Sequence, residues 1–288
     1  MTPETLPRPA TRLTEAQISS LVNIVRRAAR TEILPRFRSL TEGQISTKSG
    51  PADLVTAADT GAEAMIARAI SRLFPGAAVL GEESAAGDPD LRKAAAEAEL
   101  AFIVDPVDGT WNFAHGLPLF GVILAATRFG KPIFGMLYDP ITDDWIFATE
   151  DGPALQSEVG RPNRTLATST GGALSTLSGI AHLSYMSDSD RRALAPLGAD
   201  VPRLNSLRCS CHEYRLLAQG AVDFILSATL NPWDHAAGVL ICERAGGVAR
   251  FLDGREYDTG TTEGYLLSAP DEATWQTLRD RIATALGL

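Results

Sequence analysis

Cysteine, histidine and positive charge are all scarce in this 288-residue sequence, and each shortage excludes something. Cys209 and Cys211 stand two apart and Cys242 lies far downstream, an odd number without CxxC spacing. That pattern excludes a disulfide framework and leaves buried reduced thiols as the expectation. His115, His182, His212 and His235 form no HExxH pair or other ligand spacing, which argues against zinc. With 35 acidic against 26 basic residues, the formal charge of -9 repels nucleic acid and anionic membranes at long range. There is also no basic segment interleaved with aromatics to serve as a nucleic-acid surface. No apolar run is long enough to cross a bilayer, and no basic n-region leads into an apolar h-region, so a soluble, cytoplasmic protein is expected. A metal bound by this chain would have to be held by oxygen.

What remains is an ordinary globular composition, 45% hydrophobic and 21% charged, in a chain long enough for one large domain or two subdomains. Residues 1–13, rich in Pro, Thr and Arg, are expected to form a flexible arm. Thr14 with Gln17 makes a capping box, and Ile18, Leu21, Val22 and Val25 continue one helical face toward Pro35. A second helix is predicted over 60–73, ended by Phe74-Pro75-Gly76. The Gly/Asp/Pro and Ala-rich stretch 85–99 reads as a surface loop with some helix. Short apolar runs at 102–104, 121–128, 133–138 and 145–149, separated by turn residues, predict an antiparallel meander. Beyond 155, helices are predicted at 211–219, 235–245 and from 271, and strands at 224–227 and 248–252. The element pattern implies layered α/β packing, with a 14–153 α+β subdomain followed by a 154–288 α/β subdomain.

Several carboxylates fall at the ends of these runs. Asp105 follows the apolar run 101–104 and precedes Pro106, which keeps its backbone extended, and Asp108-Gly109 then turns the chain. Both side chains can aim at one point beyond the sheet edge, although Asp-Pro and Asp-Gly pairs also belong to plain surface turns. Glu82 and Glu83 follow another apolar pair. Asp59 and Asp234 stand at predicted helix starts, where an ordinary capping role serves equally well.

Taken together, DLVTAAD (53–59), GEES (81–84), DPVDGTWNF (105–113) and WDHAAG (233–238) resemble the inositol monophosphatase family, in the right order and from Thr14 to the C-terminus. The resemblance implies an α/β (α+β) fold, a layered αβαβα sandwich, and a Mg²⁺-dependent, Li⁺-sensitive phosphatase that acts on a small phosphorylated metabolite and forms a homodimer. It implies two or three Mg²⁺ ions held by Glu82, Asp105, the Val107 carbonyl, Asp108 and Asp234, and hard oxygen ligands suit that ion. Thr110, hydrogen-bonded to Asp59, would help Glu82 orient and deprotonate the attacking water. Gly109 and Thr110 would present backbone N–H groups to the phosphate. Ser210, Ser227 and Asp234 fall at substrate-facing positions.

The departures lie on the substrate side. Many relatives in the inositol and histidinol phosphate branches carry Glu seven residues before the WD aspartate, where this chain has Ser227. The usual Gly-Ser/Thr-Ala segment is here Arg208-Cys209-Ser210-Cys211. These exchanges remove a partner for polyols and supply a candidate partner for a second anion, unless Arg208 simply pairs with a surface acid. Inositol 1-phosphate stands first among candidate substrates, with fructose 1,6-bisphosphate, histidinol phosphate, 3′-phosphoadenosine 5′-phosphate and other sugar phosphates behind it. Lys48 and Glu83 read equally as residues near the site or as solvated surface charges. A non-catalytic Mg²⁺- or phosphate-binding protein on the same fold is the reading from a different class.

Overall fold

The computed structural model describes residues 12–50 and 53–288, so most of the expected N-terminal arm lies outside the described residues, as does the side chain of Lys48. The Thr14–Gln17 capping box forms and starts α1 (Glu15–Ala28), which buries Leu21, Val22 and Val25. The expected continuation toward Pro35 is not regular: the chain widens into a π-helical turn over Ala29–Ile33 and ends in a 3₁₀ turn at Leu34–Arg36. Pro35 has no N–H to continue the ladder. A short hairpin, β1 (Ile45–Gly50) and β2 (Asp53–Thr56), leads into α2 (Ala57–Leu73).

After β3 (Ala78–Gly81), the stretch expected to be largely loop is instead two short helices, α3 (Glu82–Gly87) and α4 (Asp90–Glu97). Alanine is the best helix former, and Ala95 gains burial in the core. On α4, Arg92 donates to the carbonyls of Leu230 and Thr261 and so ties two later loops to this corner.

The expected meander follows as β4 (Ala101–Asp108), α5 (Thr110–Ala114), β5 (Gly121–Arg128), β6 (Lys131–Asp139) and β7 (Asp144–Thr149), with β8 (Leu155–Glu158) and β9 (Arg164–Thr165) extending it. These strands make a seven-stranded sheet in the order β3-β4-β5-β6-β7-β8-β9, antiparallel except for β3 with β4. The chain leaves this sheet between Thr165 and Ser178, past the subdomain boundary expected at 153/154. It continues through β10 (Ser178–Ala181), α6 (Asp188–Leu194), α7 (Leu197–Asp200), β11 (Arg203–Asn205), α8 (Ser210–Ala218), β12 (Phe224–Ser227), α9 (Pro232–Arg244), β13 (Val248–Phe251), β14 (Leu266–Ala269) and α10 (Glu272–Leu286). A second, five-stranded sheet runs β11-β10-β12-β14-β13.

The period-2 alternation of the strands builds the layers. Along β4, Phe102 and Val104 pack against α1 and α2, whereas Ala101 and Ile103 face the core shared with α8 and α9. Along β12, Ile225 faces that same middle core, while Phe224 and Leu226 pack with Leu194, Leu197, Trp275 and Leu278 on the outer helices. The result is helices, sheet, helices, sheet, helices: the αβαβα sandwich. The middle helices sit unusually close to their neighbours. A Cβ on Gly135 of β6 would lie 2.6 Å from the Ala237 carbonyl oxygen, and one on Gly238 would fall 2.2 Å from the Tyr214 ring. Across the same gap, the buried Arg215 guanidinium forks onto both oxygens of Asp144 (2.9 and 2.8 Å) and donates to the Leu137 carbonyl.

Because α9 rests on β6 with backbone nearly touching backbone, Gly135→Ala is expected to lift α9 and cost about 2 kcal/mol, within the range for overpacking. Thermal denaturation measures that cost. The same variant should bind a divalent cation more weakly, because α9 carries Asp234; unchanged stability and cation affinity together would contradict this packing.

Candidate functional site

The site begins with an irregularity in β4. In a regular strand, residues three apart point to opposite faces, so Asp105 and Asp108 would diverge. Pro106 has no N–H to give the ladder, and the pairing with β5 slips there: Asp105 stands opposite Ile123, and the next pair is Asp108 with Gly121. The slip brings both side chains to one side. Oxygens of Asp105, Asp108 and Asp234 lie within 4.8 Å of one another. Gly109 then turns the chain at φ +87, where a Cβ would meet the Leu119 carbonyl oxygen at 2.9 Å, and α5 begins with Thr110.

Asp234 comes from the first turn of α9 and is not its N-cap; Asn231 holds that position, without a side-chain capping bond, and Pro232 opens the helix. Asn231 Nδ2 donates to Asp234 Oδ2 at 3.2 Å. His235 of the same motif is turned into the core, where its Nε2 donates to the Thr229 carbonyl (2.7 Å) and its Nδ1 accepts from Tyr214 (3.2 Å). Burial lowers its pKa to about 4, so this imidazole is neutral.

Asp59 supplies the other half of the site. It is enclosed in α2, where its Oδ2 accepts from the backbone N–H and the hydroxyl of Thr56 (2.9 and 2.5 Å) in a capping box. The Thr110 hydroxyl shares its proton between Asp59 Oδ1 (3.1 Å) and the Val107 carbonyl (3.0 Å). Glu82, the first residue of α3, lines the same cleft, and its charge bears on Asp59, Asp105 and Asp234. The cleft, about 330 Å³, is also lined by Gly109, Thr110, Trp111, His182, Arg208, Cys209, Ser210 and Trp233.

Of the residues expected at the site, Glu82, Asp105, Asp108, Gly109, Thr110, Ser210 and Asp234 line this cleft; Asp59 and Val107 stand behind it, each bonded to the Thr110 hydroxyl, and Ser227 lies apart from it. Ser227 is fully buried and stands behind His182, its Oγ 3.4 Å from Nδ1. Ser210 reaches the carboxylates through its backbone: Asp108 accepts from the N–H groups of Ser210 and Cys211 and from the Cys209 thiol (3.2 Å).

Glu63 was not evident from the motifs. Its carboxylate accepts from the N–H groups of Glu83 (2.7 Å) and Ser84 (2.9 Å) and so sets the backbone that carries Glu82. It fills the space beside Gly81, where a Cβ would lie 2.1 Å from the Glu63 carboxyl carbon. A signal was present: Asp59 and Glu63 stand at i and i+4 on a face whose other members are Ile66 and Ile70, and an acid buried there needs partners. His182 and Glu213 also escaped notice. Glu213 is fully buried, taking His182 Nε2 at 2.6 Å and the Leu207 N–H at 2.8 Å.

Burial, followed by mutual repulsion, raises Asp105 and Asp234 well above the usual carboxylate range. Burial raises Asp108 to about 7 and Asp59 to about 6, against the hydrogen bonds each accepts. Such a set of hard, crowded oxygens fits a divalent cation, which replaces the protons.

Two outcomes follow. A carboxyl with a raised folded-state pKa holds its proton more tightly folded than unfolded. Cation-free protein should therefore lose stability as pH rises from about 4, where unfolded carboxyls ionise, through about 7, where folded Asp108 does. Melting curves in chelator and in added divalent cation between pH 5 and 8 test this: the cation's stabilising increment should grow with pH, and a flat increment would contradict it. Glu63→Gln, which turns an NH₂ toward one of the two backbone donors, should cost about 1–3 kcal/mol of stability. It should also weaken cation binding in calorimetry, whereas unaltered binding would remove Glu63 from the site.

Residues 14–286 match the inositol monophosphatase family. The inositol-1-monophosphatase of Mesorhizobium japonicum is 30% identical over 82% of this chain and 87% of its own length. A fructose-1,6-bisphosphatase/inositol-1-monophosphatase of Thermotoga maritima is 29% identical over 74% of this chain and 77% of its own. The solved structure of the extragenic suppressor protein suhB from Bartonella henselae superimposes with a TM-score of 0.75 at 26% identity, covering 94% of this chain and 98% of that one. A matching sequence across nearly its whole length, a matching fold and a cluster of carboxylates in one cleft place the chain in the inositol monophosphatase family of phosphatases.

Proposed function

We propose that the protein hydrolyses a small phosphate monoester, of the inositol 1-phosphate type first, in a Mg²⁺-dependent reaction in which water attacks phosphorus directly. The carrying observation is the convergence of Asp105, Asp108 and Asp234 within 4.8 Å beside the Thr110–Asp59 hydrogen bond (3.1 Å). Two carboxylates about 5 Å apart repel by about 3 kcal/mol at an effective dielectric near 20. Together with Glu82 and the Val107 carbonyl, they would hold Mg²⁺, which keeps waters and shares its coordination with phosphate. Bound there, the metal supplies a Lewis acid for phosphoryl oxygens and a lowered pKa for water.

The chain's own residues do the rest. Gly109 and Thr110 stand where the sharp turn enters α5, with backbone N–H groups positioned to receive phosphate oxygens. The Thr110 hydroxyl, held by Asp59, orients the attacking water with Glu82. As the new P–O bond forms, the bond to the ester oxygen breaks, giving inorganic phosphate and an alcohol. Thr110, hydrogen-bonded to Asp59, helps Glu82 take the water's proton. The leaving alkoxide takes its proton from solvent. Asp234 closes the site on the leaving-group side.

The T. maritima relative, a fructose-1,6-bisphosphatase/inositol-1-monophosphatase, supports fructose 1,6-bisphosphate as a second candidate substrate. A homodimeric, cytoplasmic, Li⁺-sensitive enzyme completes the proposal; among the described residues, no helix is long and apolar enough to cross a membrane.

Phosphate release from a panel of small esters, with Mg²⁺, with EDTA and with added Li⁺, tests the reading. Mg²⁺-dependent, Li⁺-inhibited hydrolysis is expected, with Asp105→Asn reducing turnover by about 10³-fold or more while the protein remains folded. Wild-type activity in that variant overturns the assignment. Mg²⁺ binding without hydrolysis of any ester favours a non-catalytic member of the fold.

A further inference from the structure

Asp105 and Asp108 belong to β4 and Asp234 to α9, so their separation depends on how the two layers are held against each other. Along α9 the close approach of Gly135 to Ala237 does this. At its start the helix hangs from loop 228–231, which brings Thr229 and Asn231 to the cleft wall. Two of the loop's bonds come from the helix it leads into: His235 Nε2 donates to the Thr229 carbonyl (2.7 Å), and Asn231 Nδ2 donates to Asp234 Oδ2 (3.2 Å). Neither fixes the loop relative to β4.

The bond that does comes from α4, the alanine-rich helix, which lies on β3, β4 and β5. Arg92 Nη2 donates one proton to the Leu230 carbonyl and the other to the Thr261 carbonyl (2.9 Å). Thr261 belongs to a turn that is itself tied down. Asp258 Oδ1 accepts from the N–H groups of Gly260 and Thr261 (2.8 and 2.9 Å), and Asp258 Oδ2 accepts from the Thr261 hydroxyl (2.8 Å). The Thr259 N–H in turn donates to the carbonyl of Gly130, between β5 and β6 (3.1 Å). The stem of Arg92 and one of its two acceptors are therefore fixed to the seven-stranded sheet, and the other acceptor is the loop that delivers Asp234. Leu230 is buried in the middle core, so a carbonyl there that lost its donor would draw the loop toward water.

We propose that Arg92 is a positioning residue for the cation site: through Leu230 it sets where Asp234 stands relative to Asp105 and Asp108. The inference rests on the cation site of the proposed function but not on hydrolysis. Position and charge act in opposite directions here. The charge of Arg92 bears on Asp234, and a positive charge near a bound cation repels it, so loss of charge alone would tighten cation binding. Loss of the tether loosens it.

Calorimetric titration with Mg²⁺ of wild type, Arg92→Met, Arg92→Lys and Arg281→Met tests this, with each protein melted in chelator alongside. Arg281 pairs with Asp200 (2.7 Å) on the outer helices, and its variant shows what the loss of an arginine's bonds does to the fold at large. Arg92→Met should weaken Mg²⁺ binding by about tenfold, the lower end of the effect for residues that support metal ligands. Arg92→Lys, which keeps the charge on a shorter reach, should fall between, and Arg281→Met should bind as wild type does, whatever its melting temperature. Unchanged or tighter binding in Arg92→Met overturns the positioning role, as does an equal weakening in Arg281→Met. If Arg92→Met does not fold, Arg92→Lys decides by the same comparison. Wild-type protein that binds no Mg²⁺ overturns the cation site and this role with it, whereas Mg²⁺ binding without ester hydrolysis overturns only the phosphatase reading and leaves the affinities to decide.

Discussion

Crowding several carboxylates into one buried cleft is the constraint on which the rest of this molecule turns. Asp105 and Asp108 are buried and Asp234 lies beside them. An isolated charge in such a place would simply take up a proton or withdraw toward solvent. These groups can do neither fully, because each is fixed by an element that is itself fixed. The β4 slip at Pro106 aims two of them, α9 delivers the third, and α3 presents Glu82. The strain of that arrangement is a property of the fold without a cation, and relief of it by a cation couples binding to stability.

The precision of the cleft therefore depends on contacts far from it in sequence. α9 meets β6 at Gly135 and α8 at Gly238, where no side chain intervenes. Those two glycines allow the middle helices to lie close to the sheet, so that the first turn of α9 reaches the end of β4. Arg215 and Asp144 lock the same layer by a buried ion pair, which is costly to break but adds less than its Coulomb energy suggests. Glu63 plays the corresponding part on the other side, where a carboxylate in place of solvent satisfies the first turn of α3. The site's carboxylates are thus held by a frame in which backbone groups contact backbone groups, and little adjustment is possible.

The strands of the meander and the helices at 57–73, 210–218, 232–244 and 272–286 were legible in the sequence because burial on one face imposes a period. The fold class followed from their order and from the motif resemblance, as did the identity of most cleft residues. Only some helix was legible within 85–99, because a run of alanine among charges has no apolar stripe, and packing against the core decides its state. β8–β11 and β14 are too short to show alternation. Ser227 illustrates a different limit: its place in the chain matches a substrate-facing position, yet it is fully buried behind His182, and no local pattern records that. Glu63 was readable in principle as an acid on an apolar helix face, but its partners, the amides at 83 and 84, lie twenty residues away.

The carboxylate cluster and the opposite wall of the cleft are therefore encoded differently in this chain. The first is carried by short motifs whose residues are close in sequence, because a strand end, a bulge and a tight turn suffice to bring Asp105, Asp108, Gly109 and Thr110 together. The second is assembled from single residues on separate elements: His182 after β10, Arg208 before α8, Trp111 on α5. These are held in register by Glu213 and Asn112 through the backbone at Leu207. On the proposed reading, a substitution in the first set removes a ligand or the water's hydrogen bond and affects every substrate alike. On the same reading, a substitution in the second changes which leaving group fits, because discrimination between alcohols rests on a few polar contacts whose partners become unpaired when the wrong group enters. The Leu207 backbone joins the two, since the same segment that positions Arg208 goes on, through Cys209, Ser210 and Cys211, to hold Asp108. The two walls of the cleft are mechanically connected there.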